Sequence, residues 1–409
     1  MIRLHDLRAV LRCATFALVA GGIALAPAAF AQDTVRPEVG KPLKEAGEML
    51  KAGKNREALG KVNEADAVGG KTAYESFLIQ RMRGSAAAAA GDNDTAIRSF
   101  EAVIASGRVS GADQLRMIQA VAGMYYRNKD YPRAAQWAQR YLKEGGTDPG
   151  VRTILVQSYF LTNDCANVSR LVGGNSEEST RKVPEEELQM LANCYNKQRD
   201  NGGYVAAIEK LVTQYPKREY WTDLLNRVQK KPGFSDRLAI DVYRLKQAVG
   251  TLAGATEYME MAQLAIQAGV PSEAKAVVEK GYANGTLGKD KDADRQKRLR
   301  DLALKAADDA LKARAQTEKD AQEAKDGTAL FNVGMNYAAE GQAEKGAALM
   351  DQAIKKGGLK HPDESKLQLG VVQLKGGQAA RGVQTLRSVK GTDGSADLAR
   401  LWILNAGRS

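Results

Sequence analysis

Five stretches of this chain share one spaced pattern, built on a glycine followed five residues later by alanine or glycine: Gly53/Ala58, Gly91/Ala96, Gly269/Ala274, Gly341/Gly346 and Gly377/Gly382. Seven residues before each first glycine stands another small residue: Ala46, Gly84, Ala262, Gly334 and Gly370. Nine residues after it comes a bulky apolar side chain (Val62, Phe100, Val278, Met350, Leu386), and twelve after it a small or short one (Ala65, Val103, Gly281, Ala353, Val389). Small residues at helical spacing let two helices approach closely, and the glycine between them suits a left-handed helix end. Each unit therefore reads as a helical hairpin. One hairpin cannot bury its apolar face alone, so several must stack.

Four weaker units complete the series. Ala122-Gly123-Met124-Tyr125 with Asp130-Tyr131 and Ala134 marks a third unit, and Val156, Tyr159 and Val168 with a turn at Asn163-Asp164 mark a fourth. Ala192, Tyr195, Tyr204, Ala207 and Leu211 fit a fifth, whose turn around Asn201-Gly202-Gly203 reads as three residues too long. Trp221 and Leu224 open a sixth, its second helix expected after Pro232-Gly233-Phe234. These hairpins resemble tetratricopeptide (TPR) repeats over nearly all of residues 42–391. The expected fold is an all-α solenoid of stacked helix–turn–helix units, with one long charged helix and a C-terminal capping helix.

The N-terminus carries Arg3, Arg8 and Arg12, an apolar run from Ala14 to Ala26, and Ala29-Phe30-Ala31. That order reads as a secretory signal peptide cleaved after Ala31, which places the protein in the periplasm; the alternative is an uncleaved membrane anchor, for which the run is short. Cleavage removes three Arg and one Asp and takes the formal net charge from +11 to +9. A basic balance favours anionic partners, but secretion argues against nucleic acid, and the acids spread along the chain read as an evenly solvated surface. In an oxidising compartment Cys165 and Cys194 are expected to form a disulfide between adjacent repeats, the alternative being two buried thiols.

From Lys289 to Asp326 there is neither Gly nor Pro, and eleven basic residues face ten acidic ones. This segment reads as one continuous helix with a thin apolar stripe of Leu299, Leu302, Ala306, Ala310 and Ala313. It is expected to act as a solvated spacer; a coiled-coil seam is the sharper alternative. The domain division that follows is a signal peptide at 1–31, an array of about seven units at 32–288, the long helix at 289–326, and a two-repeat module with its cap at 327–409. In the final helix, Leu398, Leu401, Trp402 and Leu404 read as a cap on the open end of the stack.

Chemistry is sparse. His361, the only histidine after residue 31, sits beside a turn, and no GxxxxGK[ST], G-x-S-x-G, HExxH or CxxC motif occurs. No catalytic residue, cofactor or metal site is expected, and the chain is not read as an enzyme. Binding remains. In tetratricopeptide proteins the first helix of each hairpin lines the concave face, which by resemblance places Gln119, Tyr126, Gln157, Phe160, Asn193 and Asn196 in a groove. Amides bond a peptide backbone in both directions and aromatics add apolar area, a combination suited to an extended peptide; the alternative is that Tyr126 and Phe160 pack between units.

Tyr215 to Trp221, Glu257-Tyr258, Met261 to Leu264 and Gly269-Val270-Pro271 are similar to periplasmic repeat proteins that accompany TonB–ExbB–ExbD systems. That resemblance implies a TonB-type transducer or a receptor plug as partner. The expectation is a non-enzymatic scaffold holding an extended segment of an envelope protein. The competing expectation is a protein that assists assembly or export of a cell-wall or surface polysaccharide.

Overall fold

The computed structural model describes residues 34–174 and 182–407. The segment 1–31 expected to be a signal peptide, including Cys13, lies outside the described residues. Every regular element among them is helical, and no helix there is long and apolar enough to cross a membrane. The chain divides into two compact units, one ending at Met124 and one beginning at Tyr125.

In the first unit α1 (Pro37–Lys51) pairs with α2 (Asn55–Asp66), and α3 (Ala73–Ala90) pairs with α4 (Asn93–Ala105). Helix α5 (Gly111–Arg127) reaches the unit boundary. Thr72 and Glu75 form a capping box at the start of α3, and Arg36 ties its guanidinium to the Glu75 carboxylate. Those bonds hold the Glu75 carboxyl at about 2.

The second unit runs through α6 (Tyr131–Lys143), α7 (Pro149–Leu161), α8 (Cys165–Val168), α9 (Glu185–Lys197), α10 (Asn201–Gln214), α11 (Arg218–Gln229) and α12 (Ala239–Ala248). It continues through α13 (Gly254–Gln267), α14 (Pro271–Ala283), α15 (Ala293–Glu323), α16 (Thr328–Ala339) and α17 (Ala343–Lys356). Helices α18 (Pro362–Lys375), α19 (Ala379–Arg387) and α20 (Ser395–Ala406) complete it. Cys165 and Cys194 are joined as a disulfide with Cα atoms 5.3 Å apart, stapling the start of α8 to α9.

The hairpin turn obeys one backbone rule. Gly53, Gly91, Gly269, Gly341 and Gly377 all have φ between 73° and 86°. In three of the four weaker repeats the same left-handed position is held by Lys129, Asn163 and Arg199, with φ of 61°, 60° and 59°, and in the fourth by Gly233. A side chain there costs roughly 1–2 kcal/mol. What offsets it is the next residue. Asp130, Asp164 and Asp200 each accept a hydrogen bond from the backbone N–H three positions on, capping the following helix. The fifth repeat is thereby corrected: its turn is Gln198-Arg199-Asp200, and Asn201-Gly202-Gly203 is already the first turn of α10.

The long helix follows from the same rule. Gly269 and Gly341 are 72 residues apart, twice the 36 that separate Gly233 from Gly269, so one whole repeat lies between them. Its turn would fall at Lys305-Ala306, which offers neither glycine nor a capping aspartate. The chain stays helical for 31 residues, about 46 Å. It is not a free spacer, because it packs on α13, α14 and α16. The buried stripe is Leu299, Ala303, Ala307 and Ala321; Leu302, expected within it, is 53% exposed. Leu302 and Leu311 flank that stripe on opposite sides, which is not the arrangement of a dimer seam.

The last helix does more than was expected of it. Trp402 is buried, but α20 packs against α10 and α12 as well as α18 and α19. One core cluster joins Leu367, Val371, Leu398, Leu401 and Trp402 to Leu211, Trp221, Leu238 and Leu245. The end of the chain thus caps its last hairpin, as expected, and also folds back onto the middle of its own unit. The backbone N–H of Ser235 donates to the Asp393 carbonyl at 2.9 Å, and Lys231 pairs with Asp397 at 2.8 Å.

Two predictions follow from the close approaches and turns. A Cβ on Gly334 would stand 2.7 Å from the Gly346 carbonyl oxygen, whereas one on Gly60 of α2 meets nothing within 4 Å. In chemical denaturation G334A should lose about 1–3 kcal/mol and G60A should gain up to about 1 kcal/mol. At the fifth turn R199G should gain roughly 0.5–1 kcal/mol and D200A should lose about 1 kcal/mol by the same measurement.

Candidate peptide-binding surface

Helices α7 and α9 pack side by side as first helices of neighbouring hairpins, and polar side chains bridge from each such helix to the next at nearly repeat spacing. Arg152 on α7 pairs with the carboxylate of Glu187 on α9, and the Thr153 hydroxyl donates to the same carboxylate at 3.3 Å. Glu187 is only 1% exposed. One step along, the Gln189 amide donates to the Tyr220 hydroxyl of α11 at 2.6 Å, and that hydroxyl donates to Glu185. Burial and the Glu185 carboxylate push the Tyr220 phenol up. Burial alone would raise Glu185, but Lys217 at 2.6 Å and Tyr220 outweigh it and hold that carboxyl below its usual range.

The far ends of the same helices carry a second set of bridges. Lys197 donates to the Asn163 side-chain oxygen at 3.1 Å, and its ammonium lies 5.1 Å from the Phe160 ring centre. Arg227 donates to the Asn196 side-chain oxygen at 3.4 Å and sits 3.6 Å over the Tyr204 ring. The Tyr204 hydroxyl donates to Asp223 at 2.5 Å; burial and that carboxylate push the phenol up to about 12.

The six residues expected to line a groove divide between the two units. Gln119 is half-buried on α5 in the first unit; Tyr126, Gln157, Phe160, Asn193 and Asn196 belong to the second. Gln157 and Asn193 are half-buried on the adjacent helices α7 and α9. Phe160 is half-buried against the core and Tyr126 meets Tyr131 edge-on with ring centres 5.6 Å apart, so part of each ring is used in packing. Asn196 is exposed and its oxygen engages Arg227. Phe160 and Asn196 are drawn to one end of the surface through Lys197 and its neighbours. Lys197, Tyr204, Asp223 and Arg227 were not among the residues expected to line the groove. Aligning the weak repeats on their left-handed turn residues, rather than on glycine, is the signal that finds them.

A second polar cluster lies further along. Arg244 on α12, 4% exposed, bonds Asp241 at 2.8 Å and both oxygens of Glu273 on α14 at 2.8 and 2.5 Å. His361, at the N-terminal boundary of α18, is held below the usual imidazole value by burial and by Arg237 and Lys360. Among the described residues no group of three or more His, Cys, Asp or Glu side chains is placed to hold a metal.

No protein-family model and no curated protein matches the chain. Among solved structures it is similar to the TPR2AB domain of yeast Sti1 in complex with pHSP90, at 16% identity over 65% of this chain and 98% of that one, TM-score 0.33. It is also similar to yeast Tom70 (11% identity, 90% and 95% covered, TM-score 0.26) and to the P58(IPK) TPR domain (15%, 86% and 99%, TM-score 0.24). At such scores the likeness adds no weight of its own, and the assignment of TPR-like hairpins rests on the turns and close approaches above.

The Arg152–Glu187 pair gives a direct test. Removing the guanidinium leaves a buried carboxylate without its cation, so R152A should lose about 2–4 kcal/mol in chemical denaturation, and the double variant R152A/E187Q should recover part of that loss.

Proposed function

We propose that this protein is a non-enzymatic interaction scaffold whose second unit holds an extended peptide segment of a partner protein. The observation that carries this reading is the pair of half-buried amides, Gln157 and Asn193, on adjacent first helices, with Phe160 and Tyr126 contributing partly exposed ring area. A carboxamide offers a donor and an acceptor together, which matches the alternating N–H and C=O groups of an extended chain. The ionic bridges beside them fix the helices without using these amides, so the surface is ordered before a peptide arrives, which lowers the entropic cost of binding.

The basic, apolar, A-x-A-ended N-terminus supports a periplasmic setting and hence an envelope partner. The narrower form of the proposal is a partner within a TonB-type transport system, either the transducer or a receptor plug. A photo-crosslinking residue placed at Gln157 or Asn193 in cells tests the reading. The expected outcome is a discrete crosslinked envelope protein whose yield falls at least several-fold in F160A and in N193A (with the probe then at Gln157). Crosslinks to peptidoglycan or surface polymer alone would favour the polysaccharide role instead.

A further inference from the structure

We propose that the contact between α12 and α18 is an acid-tightened latch, in which one proton taken from solvent onto the Asp241/Glu364 carboxylate pair strengthens the hold of the C-terminal helices on the middle of the second unit. Asp241 belongs to α12 and is 2% exposed; Glu364 belongs to α18 and is half-buried. A single side-chain amide connects them: Gln368 Nε2 donates to Asp241 Oδ2 at 3.2 Å and to Glu364 Oε1 at 3.4 Å. The two carboxylates therefore confront each other across an interface between segments more than 120 residues apart.

The surrounding charges are mostly committed. On α12, Arg244 is bonded to Asp241 and to Glu273 of α14. Ahead of α12, Arg237 pairs with Glu364 at 2.8 Å and also with Asp393 in the turn before α20. On α18, Asp363 pairs with Lys366 at 3.2 Å, and Lys375 lies in the field of Glu273, Arg244 and Asp241 without a direct bond to them. On α13, packed against α12, Glu257 pairs with Lys246 and Glu260 accepts from Tyr243. On α20, Asp397 is taken by Lys231 and Arg400 by Glu209. Burial first, then the neighbouring Asp241, raises the Glu364 carboxyl despite Arg237; burial likewise raises Asp241 despite Arg244.

A carboxyl raised by folding stabilises the folded form most below its ordinary value, and that contribution fades as pH rises through the folded value. The latch is accordingly tightest in acid and loosens as pH rises through the raised Glu364 and Asp241 values. His361 acts in the opposite sense, since its lowered value makes acid unfavourable for the folded form. The apolar cluster around Trp402 keeps the helices docked at either pH, so the effect is on local opening rather than on release.

Amide hydrogen exchange of α18 and α20 in the full chain, corrected for intrinsic rates, is the test. Protection should be roughly three- to tenfold greater at pH 5 than at pH 7. E364Q, which mimics the protonated acid, should flatten that dependence; D241N should do the same while leaving the Arg237–Glu364 pair in place. H361Q should steepen it. Equal protection at both pH values in the native chain, or a native pH slope retained in both E364Q and D241N, would overturn the latch.

Discussion

The hairpins of α16/α17 and α18/α19 depend on two helices coming close enough for a carbonyl of one to touch the other. Gly334 and Gly346 show the limit: a Cβ on either would stand within 2.7 Å of the other's carbonyl oxygen. At that distance dispersion contacts run along both backbones, and the apolar residues one turn away, such as Met350 and Ala353, are driven into full burial. The left-handed residue at the turn is the second half of the same constraint, because only a sharp reversal returns the chain onto its own preceding helix. Glycine meets it without strain, and an aspartate cap meets it for Lys129, Asn163 and Arg199.

The one repeat lacking both solutions alters the course of the chain. With Lys305-Ala306 where a turn belongs, two helices' worth of sequence becomes the single rod α15. After that rod, α18 and α20 meet α10 and α12 of the same unit. The missing bend and this long-range closure occur together, and the closure brings Asp241, Gln368 and Glu364 to one place.

The candidate binding surface was partly legible beforehand. Gln157 and Asn193 fall on adjacent first helices because their spacing follows the repeat, and the disulfide partners Cys165 and Cys194 join the same two neighbouring repeats through α8 and α9. Phe160 and Tyr126 were less legible, since an aromatic at that spacing suits both packing and exposure, and the structure gives each some of both. The ionic and polar bridges went unseen. A lysine such as Lys197 resembles any solvated charge until its partner, 34 residues away, is set beside it.

The sequence by itself determined the hairpins, their turns wherever glycine marks them, and the helicity of residues 293–323, because these depend on residues a few positions apart and on local steric rules. Tertiary structure alone decided which face of α15 is buried, where Trp402 packs, and that Arg244 and Glu364 meet opposite charges from distant helices. Those outcomes depend on the summed angles of many successive hairpins, and no local pattern records that sum.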